Sequence, residues 1–400
     1  MMKIESVKIM NYKIFQNAEI NDIPEMAVFI GKNGSGKTTL FDVFGFIRDC
    51  LNGNVNTALM KRGGYDEVVS RDHFGEDISF VIECRPAGNE QFMTYELSLG
   101  LNENKRPVVK KEVLSLRRGE NGASWKALEF AGGEGFAAAG DLNSGLDTRL
   151  TERKQQKLDA PDILALKGLG QFKDYAAVAA FRKLVESWYV SDFRAEAARG
   201  RQEAGYCDQL SRNGDNLAVV AKYIYDNHPG VFNEIMQKMQ MRIPGVEKVE
   251  AQETQDGYVV LRFQEGRFKN PFSARYVSDG TIRMFSYLLL LHDPHKHALL
   301  CAEEPENQLY PELLPELAEE FQIYADADSQ VFVSTHSPDF LNAVPLESIY
   351  CLIKQDGYTV IKRAGDNPLA QSLYDAGDLP GTLWRQDLLA GGLAEGKSGK

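Results

Sequence analysis

Eight consecutive residues constrain this chain more than any other feature: Gly31-Lys32-Asn33-Gly34-Ser35-Gly36-Lys37-Thr38 satisfies G-x-x-x-x-G-K-[ST] at every position. The apolar strand pattern AVFI precedes it, and the helical spacing Leu40, Phe41, Val43, Phe44, Ile47 follows. That context separates a phosphate loop from an accidental glycine-rich turn. The glycines let the backbone curl so that its N–H groups face an anion, and the helix adds the positive end of its dipole. Lys37 then meets the β- and γ-phosphates as a point charge, and the Thr38 hydroxyl takes a place on Mg²⁺.

At 400 residues the chain is longer than a single plain core, so a nucleotide-binding domain with a sizeable inserted lobe is expected. No apolar run approaches the roughly 20 residues of a membrane span. The N-terminus, MMKIESVKIMNYKIF, alternates like a strand and lacks the apolar block of a secretory signal, so a soluble, cytoplasmic protein is expected. Cys50, Cys84, Cys207, Cys301 and Cys351 are scattered without a C-x-x-C pair and read as reduced, mostly buried thiols. A formal net charge of −12 argues against a surface that binds nucleic acid everywhere, though a local basic groove could sit within it.

Strands are expected over Lys3 to Met10, Ile14 to Ile20 and Met26 to Ile30. After Gly63-Gly64 the period turns to two (DISFVIEC, FMTYELSLGL, RPVVKKEVLSLRR, SWKALEF), which predicts an antiparallel β lobe. Gly132 to Gly145 reads as a mobile loop between lobes. From about Pro161 to Met241 the spacing is helical, as in FRKLVESWY and NLAVVAKYIYDNH, and heptads too short for a long coiled coil make this a compact helical insertion. From Ser278 onward helix and apolar strand alternate, which implies a buried parallel sheet.

Three further motifs follow in a fixed order. Ser278-Asp279-Gly280-Thr281 opens an apolar helix, where free N–H groups and a hydroxyl can meet an anion, although Ser-Asp-Gly alone is also an ordinary cap. Ala298 to Cys301 leads through Ala302 into Glu303-Glu304-Pro305-Glu306. There the first carboxylate, Glu303, can hold a metal's hydration shell, and the second, Glu304, can orient or deprotonate water. Val331-Phe332-Val333-Ser334-Thr335-His336-Ser337-Pro338 ends an apolar strand in an imidazole able to hydrogen-bond a γ-phosphate.

These elements in this order resemble the ABC-type ATPases of the RecF, OLD and chromosome-maintenance kind, and most nearly the bacterial predicted-ATPase group AAA_21. The resemblance is carried by Asn11-Tyr12-Lys13-Ile14-Phe15, the loop at Gly31 to Thr38, Ser278 to Thr281, Glu303 to Leu309, and Thr335 to Pro338, while Arg85 to Asn270 is left unaccounted for. Tyr310 stands where relatives usually carry His, and no Q-loop glutamine can be placed, Gln91 falling in an expected strand. The resemblance implies an α/β fold: a P-loop ABC-type head with a mixed or parallel sheet, an antiparallel β lobe and an inserted helical lobe. It implies ATP and Mg²⁺ as ligands, with Lys13 and Thr39 joining the phosphate loop at the nucleotide. Lys37, Glu304 and His336 act in catalysis, and Thr38 and Glu303 at the metal. Ser278, Asp279, Gly280 and Thr281 reach the γ-phosphate of a second subunit, with Asn307 at the two-fold interface.

The expected division is 1–84 and 271–400 for the head, 85–160 for the β lobe, and 161–270 for the helical insertion and return strands. The function so implied is an ATPase switch in a homodimer or higher homo-oligomer, serving anti-phage defence or DNA repair with a separately encoded nuclease or toxin. The tail Val344 to Lys400 is too short for a fused TOPRIM nuclease. A hydrolysis-deficient regulator and a P-loop kinase are the alternatives; a GTPase would need an N-K-x-D motif, which is missing. Lys61 to Gly64 and Arg71 to His73 read as ordinary turns, and Arg194 to Arg201 with Arg212 as a loose basic patch where a nucleic acid or partner would first be sought.

Overall fold

The computed structural model describes residues 2–86, 91–119, 122–139, 153–266, 268–326 and 329–390. Strands β1 (Met2–Tyr12) and β2 (Phe15–Ile20) form a hairpin, and β3 (Met26–Ile30) runs into the glycine loop and helix α1 (Lys37–Asn52). Six antiparallel strands follow: β4 (Ile78–Pro86), β5 (Gln91–Leu101), β6 (Pro107–Arg118), β7 (Ser124–Ala131), β8 (Glu134–Ala138) and β9 (Arg153–Lys157). All but β3 join one eight-stranded sheet in the order β2-β1-β4-β5-β6-β7-β8-β9. The antiparallel strands are therefore a continuation of the N-terminal hairpin.

The second half of the chain supplies β10 (Trp188–Ser191), β11 (Gln202–Glu203), β12 (Val246–Glu253), β13 (Tyr258–Glu265), β14 (Phe272–Ser273), β15 (Leu299–Glu303), β16 (Gln330–Ser334), β17 (Ile349–Gln355) and β18 (Tyr358–Arg363). A six-stranded sheet runs β10-β15-β16-β3-β17-β18, parallel throughout except where β18 turns back on β17. Every residue of β3, β15 and β16 is buried, as expected for parallel strands covered on both faces.

Helix α1 lies between the two sheets. Phe46 meets Phe80 of β4 with ring centroids 5.9 Å apart, while Phe44 meets Phe332 of β16 at 5.5 Å and Phe41 meets Phe29 of β3 at 5.9 Å. On the far face of the parallel sheet Val28, Ile30, Leu300 and Val333 join a second core with the helices Leu217–Asn227, Pro229–Arg242, Asp279–Leu291 and Leu314–Asp326. Full burial of a Phe or Leu side chain contributes about 1.5–3 kcal/mol each, so these two cores hold the head rigid around the loop they share.

Three expectations need correction. The helical pattern through FRKLVESWY breaks at Glu186, and Trp188–Ser191 instead forms β10, paired in parallel with Leu299–Ala302. Aromatic and β-branched residues favour strand, and a sheet edge some hundred residues downstream decides the outcome. The loop expected over Gly132 to Gly145 starts with a hairpin turn at Gly132-Gly133, both at positive φ, and continues as β8; residues 140–152 lie outside the described residues. The basic patch is neutralised: Arg194 pairs with Asp192, Arg199 with Asp279, Arg201 with Asp256 and Arg212 with Glu303.

Candidate active site

The glycine loop is fixed by close contacts. A Cβ on Gly31 would stand 2.3 Å from Ser35 Oγ and 2.6 Å from the Leu352 carbonyl. Gly34 and Gly36 have φ of 77° and 100°, and a Cβ on Gly36 would lie 2.4 Å from Ile14 Cδ1 of the first hairpin turn. Glycine is required at both for conformation, and at Gly36 for space as well. Thr359 Oγ1 donates to the Ser35 carbonyl at 2.8 Å, so β18 braces the loop from the other side. Helix α1 begins at Lys37 with no side-chain cap and no acidic residue in its first turn. Its free N–H groups and the partnerless, buried Ser35 hydroxyl are left for an anion. Lys32, Asn33 and Gly34 form the exposed rim of the loop, with Thr39 half-buried behind them.

At the C-terminal edge of the parallel sheet the remaining groups converge. Lys37 Nζ donates to the Gly31 carbonyl at 2.9 Å and lies 2.6 Å from His336 Nε2, which is 3.4 Å from Glu304 Oε1. Burial lowers the Lys37 pKa against the pull of Glu304 and Glu306. Burial and then Lys37 lower that of His336, so the imidazole is a neutral acceptor at neutral pH. Glu304 takes up left-handed backbone with φ 41°, a strained conformation for a non-glycine residue that aims its carboxylate toward the loop. Its N–H donates to the Ser334 carbonyl at 2.9 Å, and its Oε2 accepts from Asn307 Nδ2 at 3.0 Å.

Glu303, at the end of β15, is buried beside the Thr38 hydroxyl. Burial raises its pKa, and Arg212 and Thr38 hold it down. Two oxygen donors side by side, one a buried carboxylate already drawing a guanidinium, suit a hard divalent cation completed by phosphates and water. Thr38 and Glu303 are thus the pair that would hold Mg²⁺.

The sequence reading overlooked three contributors. Glu306 Oε1 accepts both the Thr335 hydroxyl (2.7 Å) and the His336 N–H (2.6 Å), tying the acidic turn to the histidine strand. Its place in the EEPE run was the available signal. Arg212 reaches Glu303 Oε1 at 2.8 Å, and β10 delivers Asp192 beside the same carboxylate, its N–H bonded to the Arg212 carbonyl at 2.8 Å. Arg212 was read only as part of a basic patch, and nothing in the local sequence marks Asp192.

Two groups stand apart. Lys13 is bonded to Asp42 of α1 at 2.6 Å, sharing that carboxylate with Tyr12 (2.7 Å) and Arg62 (2.8 Å). Ser278 caps its helix by accepting from Thr281 N at 3.2 Å, and Asp279 accepts from Gln308 Nε2 at 2.9 Å. A Cβ on Gly280 would stand 2.6 Å from the Gln308 carbonyl. Among the described residues no hydrogen bond or ion pair joins Ser278–Thr281 to the phosphate loop or His336.

The fold is that of an ABC-type P-loop head, and Lys37, Thr38, Glu303, Glu304 and His336 lie together at the edge of its parallel sheet. The chain belongs to the AAA_21 family, described as "AAA domain, putative AbiEii toxin, Type IV TA system", which matches residues 26–342. A 49-residue stretch is 41% identical to a DNA replication and repair protein RecF of Phocaeicola vulgatus, spanning 12% of this chain and 13% of that protein. The chain is similar in fold to an SmcHead solved bound to the C-winged helix domain of ScpA, with a TM-score of 0.50 at 12% identity over 90% of this chain and 97% of that one. An SMC head domain from Thermotoga maritima gives a TM-score of 0.43 at 12% identity, over 90% and 98%. No helix among the described residues is long and apolar enough to cross a membrane.

Proposed function

We propose that this chain hydrolyses ATP as a conformational switch, in a head-to-tail homodimer whose two sites each borrow a signature loop from the opposite subunit. One observation carries the reading: the groups suited to phosphate, metal and water meet in one pocket of one chain, while among the described residues Ser278 and Gly280 make no hydrogen bond to the phosphate loop or His336. Lys37 and the loop amides, with Thr39 flanking, bind and orient the triphosphate, while Lys13, held by Asp42, braces α1 behind the loop. Mg²⁺ held by Thr38 and Glu303 would offset charge on the β- and γ-phosphates. Glu304 takes a proton from water as its oxygen bonds to the γ-phosphorus and the β–γ bridging P–O bond breaks, with neutral His336 steadying the γ-phosphate. Ser278 and Gly280, with Asp279 and Thr281, then cap that phosphate from the other subunit, so that binding closes the dimer and hydrolysis opens it.

The division into head (1–84, 271–400), β lobe (85–160) and helical insertion (161–270) belongs to the same proposal, the insertions passing motion to a separately encoded effector, a nuclease or toxin, in the cytoplasm. Anti-phage defence or DNA processing is the setting proposed; the family description reads "putative AbiEii toxin, Type IV TA system", and the partial match is to a DNA replication and repair protein. Partner docking by a head of this fold is supported by the ScpA-bound relative. Glu304→Gln decides the central point: turnover should fall by about 10²-fold or more while an ATP-stabilised dimer accumulates in size-exclusion chromatography with light scattering. Unchanged turnover in that variant would overturn the assignment.

A further inference from the structure

Beside the nucleotide pocket, α1, the edge strand β10 and residues 209–212 enclose a cavity of about 310 Å³, lined among others by Phe44, Arg48, Asp49, Trp188, Tyr189 and Arg212. Its walls are set by hydrogen bonds of their own. Tyr189 Oη donates to the Ser211 carbonyl at 2.9 Å, and the Tyr189 ring stacks on His297 at 4.5 Å. The volume falls at the lower end of the range for small-molecule sites, about 300–1,000 Å³.

The donors here outnumber the acceptors. Arg48 is half-buried and has no hydrogen-bond or ion-pair partner among the described residues, and its Nε is buried without an acceptor. The neighbouring acid cannot serve it, because Asp49 Oδ1 already accepts from Lys61 and Oδ2 from Arg62, each at 2.8 Å. Trp188 is 1% exposed, and its indole N–H has no acceptor. Buried donors are nearly always paired, and the half-buried Arg48 guanidinium, which lines the cavity without a partner from the chain among the described residues, is the group that asks for an acceptor from outside it. The charges agree: the lining carries Arg48, Arg62 and Arg212 against Asp49 alone. Arg212 connects this cavity to the nucleotide pocket, since it lines the one and binds Glu303 of the other.

We propose that this cavity is an effector site for a small oxyanion-bearing molecule, a carboxylate or a phosphate, bound through the Arg48 guanidinium beside Trp188. An anion there also draws on Arg212, releasing Glu303 for the metal; this second half rests on the assignment of Glu303 given above. The test uses inorganic phosphate and citrate as probes, titrated without metal into the full chain carrying Trp125→Phe and Trp384→Phe and followed by Trp188 fluorescence and calorimetry. At least one probe should bind saturably, keep its affinity in Lys37→Ala and lose about tenfold or more in Arg48→Met, with circular dichroism confirming that Arg48→Met is folded. Phosphate alone or citrate alone identifies which oxyanion the site takes. Absence of both signals, loss of binding in Lys37→Ala, or full binding in folded Arg48→Met would overturn the site.

If Arg48→Met does not fold, Arg48→Lys takes its place, with weakened binding supporting the site and unchanged binding overturning it. Coupling is read separately: the saturating probe should tighten Mg-ATP binding by about fivefold or more in the parent chain and not in Arg212→Met. No tightening overturns the coupling. A chain that binds citrate and never Mg-ATP upholds the cavity and refutes the nucleotide reading instead.

Discussion

Glu306 shows how one buried carboxyl can order a site without touching what the site binds. Its Oε1 receives two donors from the Thr335-His336 segment while its Oε2 has no partner, and burial raises its pKa. Removing it takes away the side-chain tie between the acidic turn and the Thr335-His336 segment, and misplacement by about 1 Å can cost about 10²-fold in rate. Glu306→Ala should therefore lower kcat by about that factor while a fluorescent ATP analogue binds with little change; equal loss of both would assign Glu306 to binding instead. Glu112 is a second buried acid, accepting from Tyr95 Oη (2.9 Å), Ala165 N (2.6 Å) and Leu166 N (2.9 Å). Burial raises its pKa to about 7 although all three donors pull it down. A carboxyl protonated more readily in the folded chain than in the unfolded one favours folding fully below its ordinary value and loses that contribution as pH rises through about 7. The loss should approach about 3 kcal/mol, and Glu112→Gln, measured by urea unfolding between pH 5 and 8, should flatten that dependence.

At the scale of elements, the helices on the far face are clamped by Glu320, whose side chain is 3% exposed and binds Lys238 Nζ at 2.6 Å, Arg242 Nη2 at 2.6 Å and His292 Nε2 at 3.1 Å. Burial alone would raise its pKa, but His292, Lys238 and Arg242 outweigh it and hold it at about 2. Its contribution is present above the ordinary carboxylate range and fades as pH falls toward 2. Glu320→Ala leaves cations buried without their acid and should cost about 3–5 kcal/mol in a chemical denaturation midpoint.

Elements that announce themselves locally were the legible ones in the sequence: the glycine loop from its spacing, β4 and β5 from period two, the helix after Ser278 from its apolar run. What stayed hidden depends on distant partners. WYVS follows a good helix and becomes strand only because β15 offers an edge. Arg212 looked like one charge in a solvated patch because Glu303, its partner, is 91 residues away. Glu306 was visible as an acid in EEPE, yet its partners lie on another strand.

For the molecule as a whole, the signature loop divides two kinds of work. Ser278 caps its own helix and, among the described residues, has no hydrogen bond to the phosphate loop or His336, so in the proposed dimer a bulky charge there should act mainly between subunits. Ser278→Arg should cost about 1 kcal/mol through the lost cap, retain nucleotide binding by the monomer, and abolish ATP-dependent dimerisation in light scattering; persistence of the dimer would refute the head-to-tail arrangement. The parallel sheet also sets a timetable for biosynthesis. Its central strand β3 is made among the first thirty residues, yet its neighbours β16 and β17 pair with it only from Val331 and Ile349 onward. At about 5–20 residues per second an emerging chain would wait roughly 15 to 60 s with Met26–Ile30 unpaired. During that interval the apolar segment preceding the glycine loop is a natural client for a ribosome-associated chaperone.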